Sequence, residues 1–272
     1  MLIKNFVVQL ISRLSFTRQI TIRFSNKLRL HGNQMIVSNL HFRSNVVEMM
    51  GKNQTVICPT SSYLQGCIIR MHEGEGNEFR IGDSTTVFGE KRQTVYICGN
   101  DNKIIVGSGC RLNNTSFFIR GSGNTIIMGN DCSTYNVEFH VEQDRNTIQV
   151  GTKTTMHGRD SCPIHIAVDE GSGVYIADDC MLAHSIQMRS TDSHSIVDEN
   201  GKRLNPARDI RIGRHCWLGM RSIVLKGTVL KENTIVAAGA VINKQYEETN
   251  CVLAGNPARI VKLQVNWDRK YI

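Results

Sequence analysis

A polar stretch at residues 188–208 carries the side chains best suited to chemistry. Within it His194 follows Asp192 by two positions. Neutral imidazole can take up and return a proton near about pH 7, and a carboxylate two residues away could orient it. Polar loops held on a rigid scaffold are favoured places for such groups. Trp217 stands shortly downstream, an aromatic in a chain with only 6% aromatic residues. His184 and His215 lie in the same neighbourhood and read as exposed coil residues. Metal chemistry is not indicated. The nine cysteines form no close CxxC pair, and no two histidines stand at ligand spacing.

The elements that must position these residues are written as a repeat. Ile104-Ile105-Val106-Gly107-Ser108-Gly109-Cys110 returns as Ile126-Ile127-Met128-Gly129-Asn130-Asp131-Cys132, and again from Ile148, Val174 and Ile210. Phe79 to Thr85 anticipates it. Each unit reads apolar, any, apolar, Gly or Ala, two polar residues, then a small Cys or Thr. The Gly/Ala positions 82, 107, 129, 151, 177 and 213 are separated by 25, 22, 22, 26 and 36 residues. Asn77, Asn102, Asn124 and Asn146 each precede a unit by two residues and read as corner residues at positive φ.

From Ile212 the repeat tightens: Ile212, Leu218, Val224, Leu230, Val236 and Ile242 are six residues apart, and Cys216, Ser222, Thr228, Thr234 and Ala240 fill the small position. An interval of six scatters apolar residues around a helix, so a chain bent every six residues is expected. Three short strands then close a triangular coil of 18 residues. The longer steps are such coils with extra residues at corners, and the step of 36 is either two coils or one coil with an 18-residue excursion. Glycines follow this coil register and leave no phosphate-binding loop.

The pattern resembles the hexapeptide-repeat acyltransferases, most closely the bacterial sugar and polysaccharide O-acetyltransferases. Thr191-Asp192-Ser193-His194 matches their T-x-x-H loop, and Ile212 to Gly219 matches I-G-x-x-x-W-I-G. Ala254-Gly255-Asn256-Pro257-Ala258-Arg259 matches the terminal A-G-N-P-A-[KR]. Ser195 and the stretch Tyr246 to Asn250 depart from the family, which often has proline there. The resemblance implies an all-β, left-handed parallel β-helix, assembled as a homotrimer with sites between subunits. It further implies acetyl transfer from acetyl-CoA to a saccharide hydroxyl, with a bacterial surface or capsular glycan as acceptor. His194 is then the general base, Asp192 its orienter, a backbone N–H near Gly219 the oxyanion donor, and Trp217 a substrate contact. Ala183, Met220, Ala238, Asn243, Lys244, Arg259 and Lys262 would contact CoA. Transfer to an amino-sugar nitrogen, or an inert assembly subunit, are the rival readings.

The formal charge of +8 is unevenly spread. Residues 1–47 hold seven Lys and Arg and no acidic residue, leaving the remainder near neutral. No basic stripe with interleaved aromatics points to nucleic acid. Leu2, Ile3, Phe6, Val7, Leu10, Ile11 and Leu14 follow helical spacing. A basic cap is therefore expected over 1–47, beginning with a short amphipathic helix whose residues 1–15 could touch a membrane surface. The β-helix domain is expected over 48–245, with its catalytic loop at 189–208, and an irregular CoA-proximal tail over 246–272. Cys110, Cys132, Cys180 and Cys216 share one small inward slot, and the odd number of cysteines fits a reducing, cytoplasmic compartment.

Overall fold

The computed structural model describes residues 20–22, 26–37, 42–90 and 92–270. The expected N-terminal helix and its membrane contact through residues 1–15 lie outside these residues. Regular structure in the described residues is all strand, arranged in three sheets of 11, 11 and 9 strands. Successive strands visit the three sheets in turn, and each pairs in parallel with the strand one coil later. The result is a triangular prism, as the repeat predicts, and it is the left-handed β-helix that the family resemblance implies. We call its sides the first, second and third face, in the order that the chain meets them from Asn26.

Six-residue bending has the expected cause. Ile212, Leu218, Val224, Leu230, Val236 and Ile242 all point inward and are at most 2% exposed. In the longer coils the additional residues extend the first-face strands, such as Val137–Glu142, and the corner that follows. Val174 pairs directly with Ile210, so the step of 36 is one coil carrying an excursion.

Two corners are stitched internally. Between the second and third faces, the thiols of Cys110, Cys132, Cys180 and Cys216 donate to the carbonyls of Gly129, Gly151, Gly213 and Lys231 at 3.1–3.2 Å. Thr85 and Thr154 make the same bond from the same slot. Small donors are needed there because the interior is narrow and each coil's corner carbonyl must be satisfied. Between the first and second faces, the buried amides of Asn77, Asn102, Asn124 and Asn146 form a ladder at 3.0–3.1 Å. These asparagines do occupy corners, but not at positive φ. That conformation falls on the residue before each, Gly76, Asp101, Gly123 and Arg145, which frees the amide to turn inward.

Both ends of the expected coil domain move outward. Asn26–Arg29 already pairs in parallel with Val46–Met49, so the stack begins inside the basic segment. The tail is not irregular: Cys251–Gly255 and Ala258–Leu263 form an antiparallel hairpin that extends the third face. Cys251 and Leu253 fill the inward positions and are fully buried, which lets the hairpin continue the core.

Candidate active site

The excursion leaves the prism at the corner between the first and second faces, after Gln187–Arg189 and before Ile210–Ile212. It is clamped to that corner by two charged knots. The Asp192 carboxylate pairs with Lys226 Nζ and accepts from Asn205 Nδ2 at 2.7 Å. Hydrogen bonds from Lys226 and then Asn205 hold this carboxyl below the usual carboxylate range, against the opposing effect of burial. Glu170 pairs with Arg203, accepts from the Ala207 N–H, and is likewise held low, chiefly by Arg203.

Asn205 is the centre of the loop. It is buried, and its Nδ2 also donates to the His194 carbonyl at 2.8 Å while its Oδ1 accepts from the Ile196 N–H at 2.7 Å. One amide thereby fixes the backbone on both sides of His194. The imidazole itself is exposed and has no hydrogen-bond partner among the described residues. The expected Asp192–His194 pairing is absent, because Lys226 and Asn205 occupy the carboxylate. Asp192 thus holds the loop rather than the ring.

The small-residue turns lie on a different edge, between the third and first faces. The Ala183, Gly219 and Ala237 N–H groups donate to Leu218, Val236 and Leu253 carbonyls at 2.8–3.0 Å, stacking three successive turns. Met220 and Ala238 crown two of them and are exposed. Gly219 is demanded by this stacking: an added Cβ would lie 2.7 Å from the Ala238 nitrogen and 2.8 Å from the Val236 oxygen. Its own N–H is consumed by the coil, and among the described residues the adjacent Met220 N–H has no acceptor, so Met220 supplies the free backbone donor near Gly219.

Other expected contacts divide between the edges. Arg259 pairs with Ala254 in the hairpin above the small turns, and Lys262 stands mid-face opposite Val252; both are exposed. Asn243 and Lys244 stand instead on the loop's own corner, two coils above it, where the Lys244 ammonium sits 5.3 Å over the Tyr246 ring. Trp217 projects from the third face, 37% exposed, paired with Met181 below and Ile235 above.

Sequence reasoning missed the partner of that tryptophan. Trp267 folds back so that its ring stacks on His215 at 4.3 Å and 11°, and it lies 6.1 Å from Trp217. His215 is consequently half-buried rather than an exposed coil residue, with Nδ1 2.6 Å from Asp179. Burial would raise the Asp179 carboxyl, but hydrogen bonds from His215 and Arg269 prevail and hold it low. A separation of 52 residues between His215 and Trp267 left no local signal to find. Among the described residues no group of His, Cys, Asp or Glu gathers in metal-ligating number.

A three-sided coil with a polar loop on one edge and small stacked turns on another defines an acyltransferase scaffold. Residues 209–244 match the family described as bacterial transferase hexapeptide (six repeats). A polysialic acid O-acetyltransferase of Neisseria meningitidis is 34% identical over 210 residues, covering 74% of this chain and 90% of that protein. Another, from Escherichia coli O1:K1 / APEC, is 33% identical over 103 residues, 38% of this chain and 33% of that one. A solved polysialic acid O-acetyltransferase superposes with a TM-score of 0.64 at 29% identity, over 82% of this chain and 92% of the other. The chain belongs to the hexapeptide-repeat O-acetyltransferases.

Proposed function

We propose that the protein transfers acetyl from acetyl-CoA to a hydroxyl of an acidic glycan, a sialic acid polymer, and does so as a homotrimer in the cytoplasm. The observation that carries this reading is a coincidence of height. The loop bearing His194 leaves the prism between the heights of the turns at Ala183 and Met220, within about one coil of each, about 5 Å along the prism, yet on a different edge, and the turn at Ala238 stands one coil higher. One face separates them, six residues or roughly 20 Å of extended chain. A neighbour related by rotation about an axis parallel to the prism would bring one chain's loop to the other's turns with no change in height. Three copies close such a ring.

The first face would then turn toward the axis. Its outward column suits a covered surface: Tyr96, Phe118 and His140 stack at 4.6–4.8 Å, and Ile223 is 37% exposed. Burial holds His165, at the end of that column, below the usual imidazole range.

In the proposed reaction pantetheine lies along the small turns of one subunit and presents its thioester near Met220. His194 of the neighbouring subunit accepts the proton of the acceptor hydroxyl as that oxygen attacks the carbonyl carbon. The Met220 N–H donates to the oxyanion. Collapse expels the CoA thiolate, which takes the proton back from the imidazolium. Arg259, Lys262 and, from the loop-bearing side, Lys244 supply cations for the nucleotide phosphates.

An acidic acceptor is supported by the similarity to polysialic acid O-acetyltransferases and by the charge around the site. Residues 189–270 carry 14 Lys and Arg against eight Asp and Glu. The nine cysteines are free, in keeping with a reducing compartment.

The test is acetyl-CoA consumption against a sialic acid polymer, a neutral glycan and an amino sugar. Turnover is expected with the polymer. His194→Ala should lower it about 10²–10⁴-fold while CoA binding persists. Turnover confined to the amino sugar would overturn the acceptor assignment.

A further inference from the structure

We propose that the C-terminal strap, residues 264–270, is a positioning device for Trp217, with Trp267 as its working residue. The inference rests on the reading of Trp217 as an acceptor contact. The strap is not part of the coil. After the hairpin the chain turns at Gln264, which has a φ of 58°, and the Val265 N–H donates to the Asn250 carbonyl at 3.0 Å. From there it runs down the corner between the second and third faces. Trp267 docks at the level of His215, and Arg269 one coil lower, where it pairs with Asp179 at 3.1 Å and donates to Thr155 Oγ1 at 2.8 Å.

The docking is directional. Trp267 Nε1–H donates to the His215 carbonyl at 2.9 Å, while the His215 ring Nε2 lies 3.1 Å from the Trp267 carbonyl. The two residues therefore grip each other through both backbone and ring. The Arg269 guanidinium closes the other side, 5.3 Å from the Trp267 ring. As a result Trp267 is 7% exposed although it lies in a tail.

This ring stands beside one surface aromatic in particular. Trp217 is two residues from His215, and the two indoles meet at an interplanar angle of 47°. An indole on a flat strand face has several open rotamers, and a tilted aromatic neighbour removes the one that would swing toward the second–third corner. Trp217 is left presented outward from the third face, 37% exposed. Fixing a contact group before the acceptor arrives lowers the ordering cost of binding.

The chain has two tryptophans, so each single substitution leaves one reporter. Trp267→Ala and Trp267→Phe would be examined by acrylamide quenching of Trp217 emission and by steady-state kinetics with a sialic acid polymer. Wild-type emission includes the buried Trp267, so quenching is compared between the two variants, in which Trp217 alone emits. Trp267→Ala is expected to be quenched about twofold more than Trp267→Phe and to raise the acceptor KM about tenfold over wild type, leaving the acetyl-CoA KM unchanged. Trp267→Phe keeps a ring and should recover most of the acceptor KM. If the strap only clasps the coils, Trp267→Ala will lower the melting temperature yet be quenched no more than Trp267→Phe and leave the acceptor KM unaltered below it, which overturns the proposal. Trp217→Ala is the control for the premise. An unchanged acceptor KM there sinks the acceptor-contact reading and the inference with it. A raised KM there, with an insensitive Trp267→Ala, sinks the inference alone.

Discussion

At the scale of single residues, the proposed base is held through its backbone. His194 presents an exposed ring on a backbone gripped by Asn205, and Asp192 serves the grip. Gly219 holds too. Its missing side chain lets two turns approach within backbone contact, so Gly219→Ala must push the turn at Ala238 away. Overpacking of this kind costs about 1–3 kcal/mol. We expect a lower melting temperature together with a weaker CoA affinity, read by thermal unfolding and by calorimetry. Unchanged CoA affinity in a destabilised variant would remove these turns from the binding surface.

The elements have their own dependences. The loop clamp is electrostatic, and its pH window follows from the lowered carboxyls of Asp192 and Glu170. A depressed carboxyl contributes stability above its unfolded value, about pH 4, and loses it as pH falls through the lower folded value. Protection of the loop amides, measured by hydrogen exchange, should therefore be flat from about pH 5 to 8 and collapse only in stronger acid. Lys226→Ala removes the first cause of the Asp192 shift and should move that collapse upward toward about pH 4. Flat protection in the variant down to the wild-type limit would show that Lys226 does not clamp the loop. The asparagine ladder is the other element-scale device. Asn102 donates to Asn77 and the Gly121 carbonyl and accepts from Asn124, wholly out of water. Asn102→Ala leaves several buried groups unpaired, each worth about 1–3 kcal/mol. Chemical denaturation should report a loss at least that large. A smaller loss would mean that water replaces the amide.

At the scale of the whole molecule, the proposed trimer makes a site from two chains, which genetics in the test tube can read. His194→Ala spoils the loop and Met220→Arg blocks the turn edge, so each variant alone should be inactive. Refolded together in equal amounts, about a quarter of the sites should combine an intact loop with an intact edge. Recovered activity near that level checks the arrangement across chains. No recovery, with mixed trimers present, would place both groups in one chain's site.

Much of this was legible in the residues. Six-residue spacing of aliphatic and small side chains points to a three-sided coil, because a helix would scatter them and plain strand alternation does not call for an aliphatic residue at every sixth position. The polar excursion with His194 and the small turns at Gly219 were equally visible, since each interrupts or fits the repeat locally. What the tertiary structure decided was adjacency across the coil. Only stacking shows that Lys226 and Asn205 take Asp192 away from His194, and that the Gly219 N–H is spent on Val236. It likewise brings Trp267 beside Trp217, and it sets the loop and the small turns on opposite edges of one face. These relations depend on which corner each residue reaches and which coil lies above it. A linear repeat fixes the period of the coil, but chain length between corners, summed over many coils, fixes who meets whom.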